Sequence, residues 1–285
     1  MYIENIFKIL SMKRKAFIRL LAVTALFPFS VTGNAYSETV PSKSYGLSRM
    51  TNVARFPVLD REMKVKYEGS IDKKGGNADW DWSLYQDKKG EWVIFDVAGA
   101  GCIYNMVQHR YLSSEEPVFR FYFDGEETPR FTIRLSEFGE KYPFTEPQAS
   151  CYIGPLDNGR GPIRVVRSFV PMPFRNGCRI TSSVKLEGPH RDKGQGGWGH
   201  VVYHSYPTAQ GTFTGKEDYS SLVRQWKQTG VDPKIGKDRM FRMSEKKLAS
   251  GESLSIIDVH EGGVINSLKL YMADMNPDRL QDVWI

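Results

Sequence analysis

Short apolar and aromatic segments recur along the chain and are separated by clusters of Gly, Pro, Asp and Asn. The clearest segments are residues 91–97, 102–112, 118–124, 130–135, 163–170, 178–186, 200–206 and 254–259. Runs of this length, divided by turn residues, are typical of the strands of a β-sandwich or barrel. The pattern therefore predicts an all-β fold.

Two of these segments are predicted to form a β-hairpin. VFRFYF (118–123) and RFTIRL (130–135) are joined by DGEETP, which begins with Asp124 and Gly125. Asp-Gly adopts positive φ values at little cost, so it is a strong signal for a tight turn between antiparallel strands.

One segment, residues 217–229, has the period of a helix instead. Its apolar residues recur at i, i+3, i+4 and i+7 and are Tyr219, Leu222, Val223 and Trp226. This spacing places them on one helix face, and Gly230 supplies a stop signal. We therefore expect one amphipathic helix within a connecting segment, residues 211–249, that links two β units.

Two stretches of the chain resemble each other at a constant offset of 162 residues. FDVAGAGCI (95–103) aligns with IDVHEGGVI (257–265), and four of the nine positions are identical. The same offset aligns VFRFYF with LQDVWI, the last six residues, so that the residue after Ile285 would correspond to Asp124. The similarity predicts a second β unit that ends one residue before its hairpin turn.

An incomplete second unit would have unpaired surfaces. The first unit, residues 63–210, continues beyond its hairpin with strands that cover its sheet, whereas residues 250–285 include no equivalent strands. The last strand would then have an open edge and an uncovered apolar face. Either another chain covers that face or the sequence is an incomplete version of a longer protein, and the second interpretation is favoured.

The N-terminal residues 1–35 have the pattern of an export signal. Lys13, Arg14, Lys15 and Arg19 precede an apolar stretch, residues 20–32, that is too short to span a bilayer comfortably. Small residues, ending at Ala35, follow at the positions that a signal peptidase reads. Met12 is an alternative start, and with either start we expect a protein exported to the periplasm or the extracellular space.

Removal of the signal changes the charge of the chain. Residues 1–35 hold five of the 39 Lys and Arg and one of the 33 Asp and Glu, so residues 36–285 carry 34 basic and 32 acidic side chains, a net charge of +2. A nucleic-acid partner or an acidic membrane partner is therefore not implied.

Cysteine and histidine usage argues against a metal site or a disulfide-rich fold. Cys102, Cys151 and Cys178 allow one bridge with one free thiol, but three buried thiols fit equally well. His200 and His204 would share a strand face without an evident third ligand, so they are interpreted as surface or core histidines. No metal or other cofactor is expected.

The densest mixture of polar and aromatic residues is GSIDKKGGNADWDW, residues 69–82. Carboxylate and amide groups can bond sugar hydroxyls, indole rings can stack on a sugar face, and adjacent glycines let the backbone approach a ligand closely. The candidate substrate-binding residues are Asp72, Gly75, Gly76, Asn77, Asp79, Trp80 and Trp82. The alternative interpretation is a turn with one tryptophan buried in the core.

Other candidate chemistry is weaker. Glu126 and Glu127 lie in the predicted hairpin turn, where solvated carboxylates are ordinary. FVPMPFRNG, residues 169–177, predicts a rigid loop between its prolines. The chain has no GxSxG, P-loop or dinucleotide-binding fingerprint.

Five motifs, in order, resemble those of glycoside hydrolase family 172, over about residues 65–206. IDKKGGNADWDW resembles the family's SSYDRTGGND-type signature, and AGAGCIYNMVQ resembles its GPGxIxxxW element. The later motifs are FRFYFDGEETPRFTIRLSEFG, SFVPMPFRNGCRIT and HVVYHSY. Ser70-Ile71 and Lys73-Lys74 depart from the family pattern and leave the sugar specificity open.

The resemblance implies tandem β-jelly-roll domains, trimer-based assembly, and cleavage or transfer of α-D-fructofuranosides or α-D-arabinofuranosides with retention. Retaining chemistry needs two carboxyl groups about 5 Å apart. In the family both are glutamates, in WWGEGE-like and GTGTEDYF-like motifs of the C-terminal half. Neither motif occurs in these 285 residues, and by family order both would lie beyond Ile285.

The sequence therefore predicts an exported carbohydrate-active protein that resembles retaining furanosidases, with little or no hydrolysis by this chain alone. The alternative is a non-catalytic glycan-binding or oligomer-forming β-sandwich protein. The expected partners are a furanoside-containing glycan and further copies of the chain. The expected segments are the signal (1–35), an N-terminal segment (36–62), the first jelly roll (63–210), the connection (211–249) and the start of a second jelly roll (250–285).

Overall fold

The computed structural model describes residues 2–9, 45–56, 58, 60–76, 82–154, 161–186, 197–209, 211–231, 239–249, 251–256, 258 and 265–272. The chain divides into two compact units. The larger unit comprises Lys43–Val53 and Leu59–Val231, and the smaller one comprises Met1–Ser42, Ala54–Val58 and Asp232–Ile285.

Strands account for most of the regular structure. In chain order they are β1 Tyr2–Ile9, β2 Lys64–Gly69, β3 Tyr85–Gln86, β4 Trp92–Ala98, β5 Ala100–Tyr111, β6 Val118–Phe123, β7 Phe131–Arg134, β8 Ala149–Gly154, β9 Ile163–Ser168, β10 Met172–Phe174, β11 Gly177–Ser182, β12 Gly197–Tyr206, β13 Arg239–Lys247 and β14 Ile265–Met272. The helices are α1 Leu47–Thr51 and α2 Ser220–Lys227, with short 3₁₀ turns at Val53–Arg55 and Leu135–Glu137.

The larger unit is a sandwich of two antiparallel sheets, which confirms the predicted all-β class. The six-stranded sheet has the order β2-β12-β5-β9-β8, and β10 also pairs with β5. The five-stranded sheet has the order β3-β4-β11-β6-β7. Seven of the predicted segments form strands here, from β4 to β12. The sequence pattern did not indicate β2, β3, β8 and β10, and of these β3 and β10 are too short, at two and three residues, to carry a measurable period.

The core lies between the two sheets and is rich in phenylalanine. Phe95 of β4 and Tyr203 of β12 meet edge to face across the sandwich, with ring centroids 5.1 Å apart. Phe121 is fully buried and stacks on Phe144, at 5.8 Å between centroids. Burial of each such side chain contributes roughly 2 kcal/mol, so these inward-facing aromatic residues largely fix how the sheets pack.

The predicted hairpin is formed by β6 and β7, and its turn holds two other segments in place. Asp124 has a φ of 54°, and its carboxylate accepts hydrogen bonds from the backbone N–H groups of Arg175 and Asn176, at 2.6 and 2.7 Å. Arg130, at the other end of the turn, is paired with Glu126 and donates to the carbonyl oxygen of Phe213 at 2.5 Å. Glu126 is therefore part of a structural clamp.

The predicted amphipathic helix is α2, which is shorter than the expected 217–229. The backbone N–H of Ser220 donates to the Asp218 carboxylate at 2.9 Å, which stabilises the start of the helix. Leu222 is fully buried, and Trp226 meets the Phe169 ring edge to face at 5.5 Å. One helix face therefore packs against the sandwich, as its spacing predicts.

The smaller unit contains a three-stranded antiparallel sheet with the order β13-β1-β14. β1 lies within residues 1–35, and since most of that segment is outside the described residues, the export signal stays a prediction. Residues 254–256 are irregular rather than a strand, and they follow a turn in which Gly251 has a φ of 77°. The predicted equivalence of the last six residues to β6 falls on residues that are not described.

No helix in the described part of the chain is long and apolar enough to span a membrane. All three cysteines are free thiols: Cys102 and Cys178 are buried and Cys151 is half-buried. Burial raises the thiol pKa of Cys102 and of Cys178 well above the ordinary value, so both remain protonated at neutral pH.

Replacement of Asp124 should loosen the hairpin clamp. In Asp124→Gly the positive φ is free of cost but both charge-assisted hydrogen bonds are lost, and we expect a loss of about 1–3 kcal/mol in the free energy of unfolding. Asp124→Asn keeps an acceptor and tolerates positive φ, so it should cost less. Urea unfolding of both variants measures the difference. Equal stability of wild type and Asp124→Gly would show that the carboxylate does not hold the two segments.

Candidate functional site

The candidate loop begins where β2 ends beside β12. Ser70 forms three hydrogen bonds with Gly199: its N–H and its hydroxyl donate to the Gly199 carbonyl oxygen at 3.0 and 3.2 Å, and its Oγ accepts from the Gly199 N–H at 3.1 Å. Gly69 lies so close to β12 that an added Cβ would be 2.5 Å from the same carbonyl oxygen. The first residue of the loop is therefore rigidly placed.

Asp72 then forms a tight turn with its own backbone neighbours. Its Oδ1 accepts from the N–H of Lys74 at 2.9 Å, and its carbonyl oxygen accepts from the N–H of Gly75 at 3.0 Å. Gly75 has a φ of 76°, and an added Cβ at Gly76 would be 2.6 Å from Asp72 Oδ2. The turn therefore favours glycine at Gly75, where φ is positive, whereas a side chain at Gly76 would displace the Asp72 carboxylate.

The same tetrapeptide, DKKG, recurs at residues 87–90 with the same hydrogen bonds. The Asp87 carboxylate accepts from the N–H of Lys89 at 2.9 Å, its carbonyl oxygen accepts from the N–H of Gly90 at 3.0 Å, and Gly90 has a φ of 80°. DKKG is thus a turn-forming unit by itself. The Asp72 turn alone therefore does not identify a ligand site. The Asp87 turn provides a matched control for substitutions at Asp72.

Trp82, at the end of the loop, is buried in the core with only 1% of its surface exposed. Its backbone N–H donates to the carbonyl oxygen of Leu186 at 3.1 Å. The ring cannot stack on a sugar from this position, so the proposed binding role of Trp82 is corrected to a core role. This agrees with the alternative interpretation, in which one tryptophan of the loop is buried. Asn77, Asp79 and Trp80 lie outside the described residues.

Gly199 allows Trp82 to pack directly against the backbone of β12. An added Cβ at Gly199 would be 2.5 Å from Trp82 Cζ3, 2.9 Å from Gln108 Oε1 and 2.3 Å from the Val107 carbonyl oxygen. Gly199 therefore fixes both ends of the loop, because it also bonds Ser70. Sequence reasoning missed this residue, although the Gly-Trp-Gly stretch at 197–199 was the available signal.

Two buried polar groups lie beneath the loop. Trp82 Nε1 and Gln108 Oε1 have no hydrogen-bond partner in the part of the chain that the structure describes. A buried polar group without a partner costs about 1–3 kcal/mol, so this donor and this acceptor favour a bound water. Sequence reasoning did not identify these two groups.

A histidine and a tyrosine lie beside the loop on the outer face of the six-stranded sheet. His200 Nε2 and Asn105 Oδ1 are 3.1 Å apart, and the His200 ring stacks on Tyr67 at 5.2 Å between centroids. Desolvation lowers the pKa of His200, so its imidazole is neutral at pH 7. A neutral imidazole, an amide and a phenol suit an uncharged hydroxylated ligand better than an anion.

His204 lies further along the same strand face, as predicted, and belongs to a polar aromatic cluster. Its Nδ1 is 3.2 Å from the Tyr206 hydroxyl, which is also 3.2 Å from the Tyr104 hydroxyl. Desolvation, with a smaller contribution from Arg49, lowers the pKa of His204 to about 4. Within the described residues, no group of three His, Cys, Asp or Glu side chains could hold a metal ion.

The described part of the loop contributes a single carboxylate. This carboxylate is Asp72, whose Oδ1 accepts the backbone N–H of Lys74 within the turn. Retaining hydrolysis needs a nucleophile and an acid/base carboxyl group about 5 Å apart.

Comparison with known protein families gives one match. A sequence model of the GH172 first β-sandwich domain matches residues 52–221, which are more than half of the 285 residues. The matched range contains the described sandwich from β2 to β12 and the loop after β2. No curated protein matches the chain.

Proposed function

Because the chain belongs to glycoside hydrolase family 172, we propose that it is an exported carbohydrate-active protein that recognises α-D-fructofuranosides or α-D-arabinofuranosides. The observation that carries the proposal is the family match over the whole first sandwich. The loop after β2 is the proposed binding site, with Asp72, Gly75, Gly76, Asn77, Asp79 and Trp80 as its residues.

The proposed site has features that support sugar recognition. Ser70 and Gly199 hold the loop in place by three hydrogen bonds, which lowers the entropy cost of ordering it around a ligand. Gly75 has open space where a side chain would stand, so a ligand can approach the backbone there. Neutral polar side chains, including His200 and Asn105, lie alongside.

We further propose that this chain alone does not cleave furanosides. The 285 residues contain neither the WWGEGE-like nor the GTGTEDYF-like motif that carries the family's catalytic glutamates. Binding without cleavage also fits the second candidate function, a glycan-binding or oligomer-forming protein. In either case the proposed partners are a furanoside-containing glycan and further copies of the chain, in trimer-based assemblies by resemblance to the family.

The binding proposal can be tested by calorimetry with an aryl α-D-arabinofuranoside and an aryl α-D-fructofuranoside. We expect wild type to bind at least one of them, and Asp72→Ala to weaken that binding at least tenfold because the loop turn loses its acceptor. Asp87→Ala, which disrupts the same DKKG turn elsewhere, is the matched control and should bind like wild type.

Two results would contradict this account. Equal affinity of wild type and Asp72→Ala for the furanoside would show that the loop does not contribute to binding. Release of the aryl group by wild type would show that a catalytic pair is present in this chain after all. Because the two assays are separate, failure of the binding claim does not decide the cleavage claim.

Export can be tested on the protein made in its own host. We expect the N-terminal sequence of the mature protein to begin near residue 36, since signal peptidase acts after small residues such as Ala35. A secreted or cytoplasmic product that retains residues 2–9, which form β1, would contradict the proposal.

A further inference from the structure

One row of polar side chains on the outer face of the five-stranded sheet is paired within the protein. Thr181 of β11 lies opposite Arg120 of β6, while the neighbouring Ile180 and Phe121 point into the core. Arg120 pairs with the Glu91 carboxylate at 2.6 Å, and Thr181 Oγ1 donates to the same carboxylate at 3.3 Å. These groups satisfy one another and need no further partner.

The next row on the same face is arranged differently. Arg179 of β11 lies directly opposite Asp96 of β4 on one side and Tyr122 of β6 on the other. Directly opposite residues have Cβ atoms about 4.5–5.5 Å apart, so an ion pair between Arg179 and Asp96 is within reach. Among the residues that the structure describes, no ion pair joins them. The Arg179 guanidinium lies over the Tyr122 ring instead, 4.5 Å from its centroid.

The Asp96 carboxylate is oriented by Tyr85 of β3. The Tyr85 hydroxyl donates to Asp96 Oδ2, and the tyrosine is 45% exposed. Desolvation, followed by the hydrogen bond to Asp96, raises the pKa of Tyr85 to about 12, so the phenol keeps its proton at neutral pH. Asp96 Oδ1 accepts no hydrogen bond within the described part of the chain, and Asp96 is exposed. This oxygen is therefore available to a ligand.

The Arg179 guanidinium has donors that are equally available. Its Nε is buried and has no hydrogen-bond partner among the described residues, and no described carboxylate or carbonyl accepts from its Nη atoms. Tyr122, beneath it, is only 4% exposed, so the ring is a fixed support for the guanidinium plane. An arginine held flat in this way loses little conformational entropy when it binds a ligand.

The charges around this row favour a neutral ligand with hydroxyl groups. The charged groups that act on the Tyr85 hydroxyl include two acids, Asp96 and Asp87, and one base, Arg179. An anionic ligand would be repelled by the carboxylates and a cationic ligand by the guanidinium. Two neighbouring hydroxyls of a sugar match the pair, since one can accept from Arg179 and the other can donate to Asp96. The exposed Tyr85 ring can stack on the C–H face of a sugar.

The width of the row suits a chain of sugars. Tyr85 lies on β3 and Arg179 on β11, with β4 between them. Two strand spacings of about 4.8 Å give roughly 10 Å from one side of the row to the other. This distance is longer than one sugar ring and suits neighbouring units of an oligosaccharide.

We propose that Tyr85, Asp96 and Arg179 form a second carbohydrate-binding site, which holds a neutral oligosaccharide or polysaccharide chain on the outer face of the five-stranded sheet. This site is separate from the candidate loop, whose described ends at Ser70 and Trp82 are held against β12 of the six-stranded sheet. It goes beyond the proposed function, because it depends neither on the furanoside that the loop recognises nor on cleavage.

The test is affinity electrophoresis of the full chain in native gels that contain arabinan, xylan or mixed-linkage β-glucan, with polygalacturonate as the anionic comparison. We expect at least one neutral polysaccharide to retard wild type. Arg179→Gln and Asp96→Ala should each raise the dissociation constant at least tenfold, because each loses a charge-assisted hydrogen bond.

Arg167→Gln is the matched control. It also removes an exposed arginine that lies over a tyrosine ring, 5.9 Å from the Tyr152 centroid, but on the six-stranded sheet. This variant should be retarded like wild type. Urea unfolding of all three variants checks that each is folded.

Three outcomes would overturn the proposal. A wild-type chain that no neutral polysaccharide retards has no such site. Wild-type retardation in either Arg179→Gln or Asp96→Ala would show that the substituted residue does not contact the glycan. Retardation by polygalacturonate alone would show that the ligand is an anion.

Asp72→Ala separates this proposal from the proposed function. We expect this variant to lose affinity for the aryl furanosides and to be retarded by the polysaccharide like wild type. Retardation that is lost in Asp72→Ala but kept in Arg179→Gln would assign the glycan to the loop and contradict the second site.

Discussion

The close approach of Trp82 to the backbone of β12 at Gly199 is the constraint on which the rest of the site depends. An added Cβ there would be 2.3 Å from the Val107 carbonyl oxygen, so a side chain has no room. Since Gly199 also bonds Ser70, one residue fixes the start of the candidate loop and its end at Trp82. The described ends of the loop, at Ser70 and at Trp82, are therefore both held against β12.

The two faces of β12 have different roles, since one packs in the core and the other lies at the surface beside the loop. Its inward side chains, Val201 and Tyr203, are buried in the aromatic core and hold the sheets together. Its outward side chains include Trp198 and His200, whose rings stack on His109 and Tyr67. One face of the strand therefore holds the sheets together, while the other lies beside the proposed binding loop.

The sequence predicted the parts of the fold that depend on local periodicity. The hairpin at Asp124 and the helix face of Leu222 and Trp226 follow from turn chemistry and residue spacing, and both are present. The role of Trp82 was open because composition does not distinguish a buried indole from a stacking one. The importance of Gly199 could not be predicted, since it arises from contacts with Ser70, Gln108 and Trp82, which are far away in the sequence. The turn at Asp72 is explained by local hydrogen bonds that recur at Asp87.

The free energy of unfolding of Gly199→Ala, measured by urea denaturation with Trp fluorescence, tests the central claim most directly. The Val107 carbonyl oxygen belongs to the backbone and cannot move aside easily, so we expect the free energy of unfolding to fall by about 2 kcal/mol or more. We also expect a changed Trp emission, because the added methyl group would displace Trp82. Gly211→Ala, where nothing lies within 4 Å of the added Cβ, should leave the stability nearly unchanged. A Gly199→Ala protein with wild-type stability and emission would contradict the account.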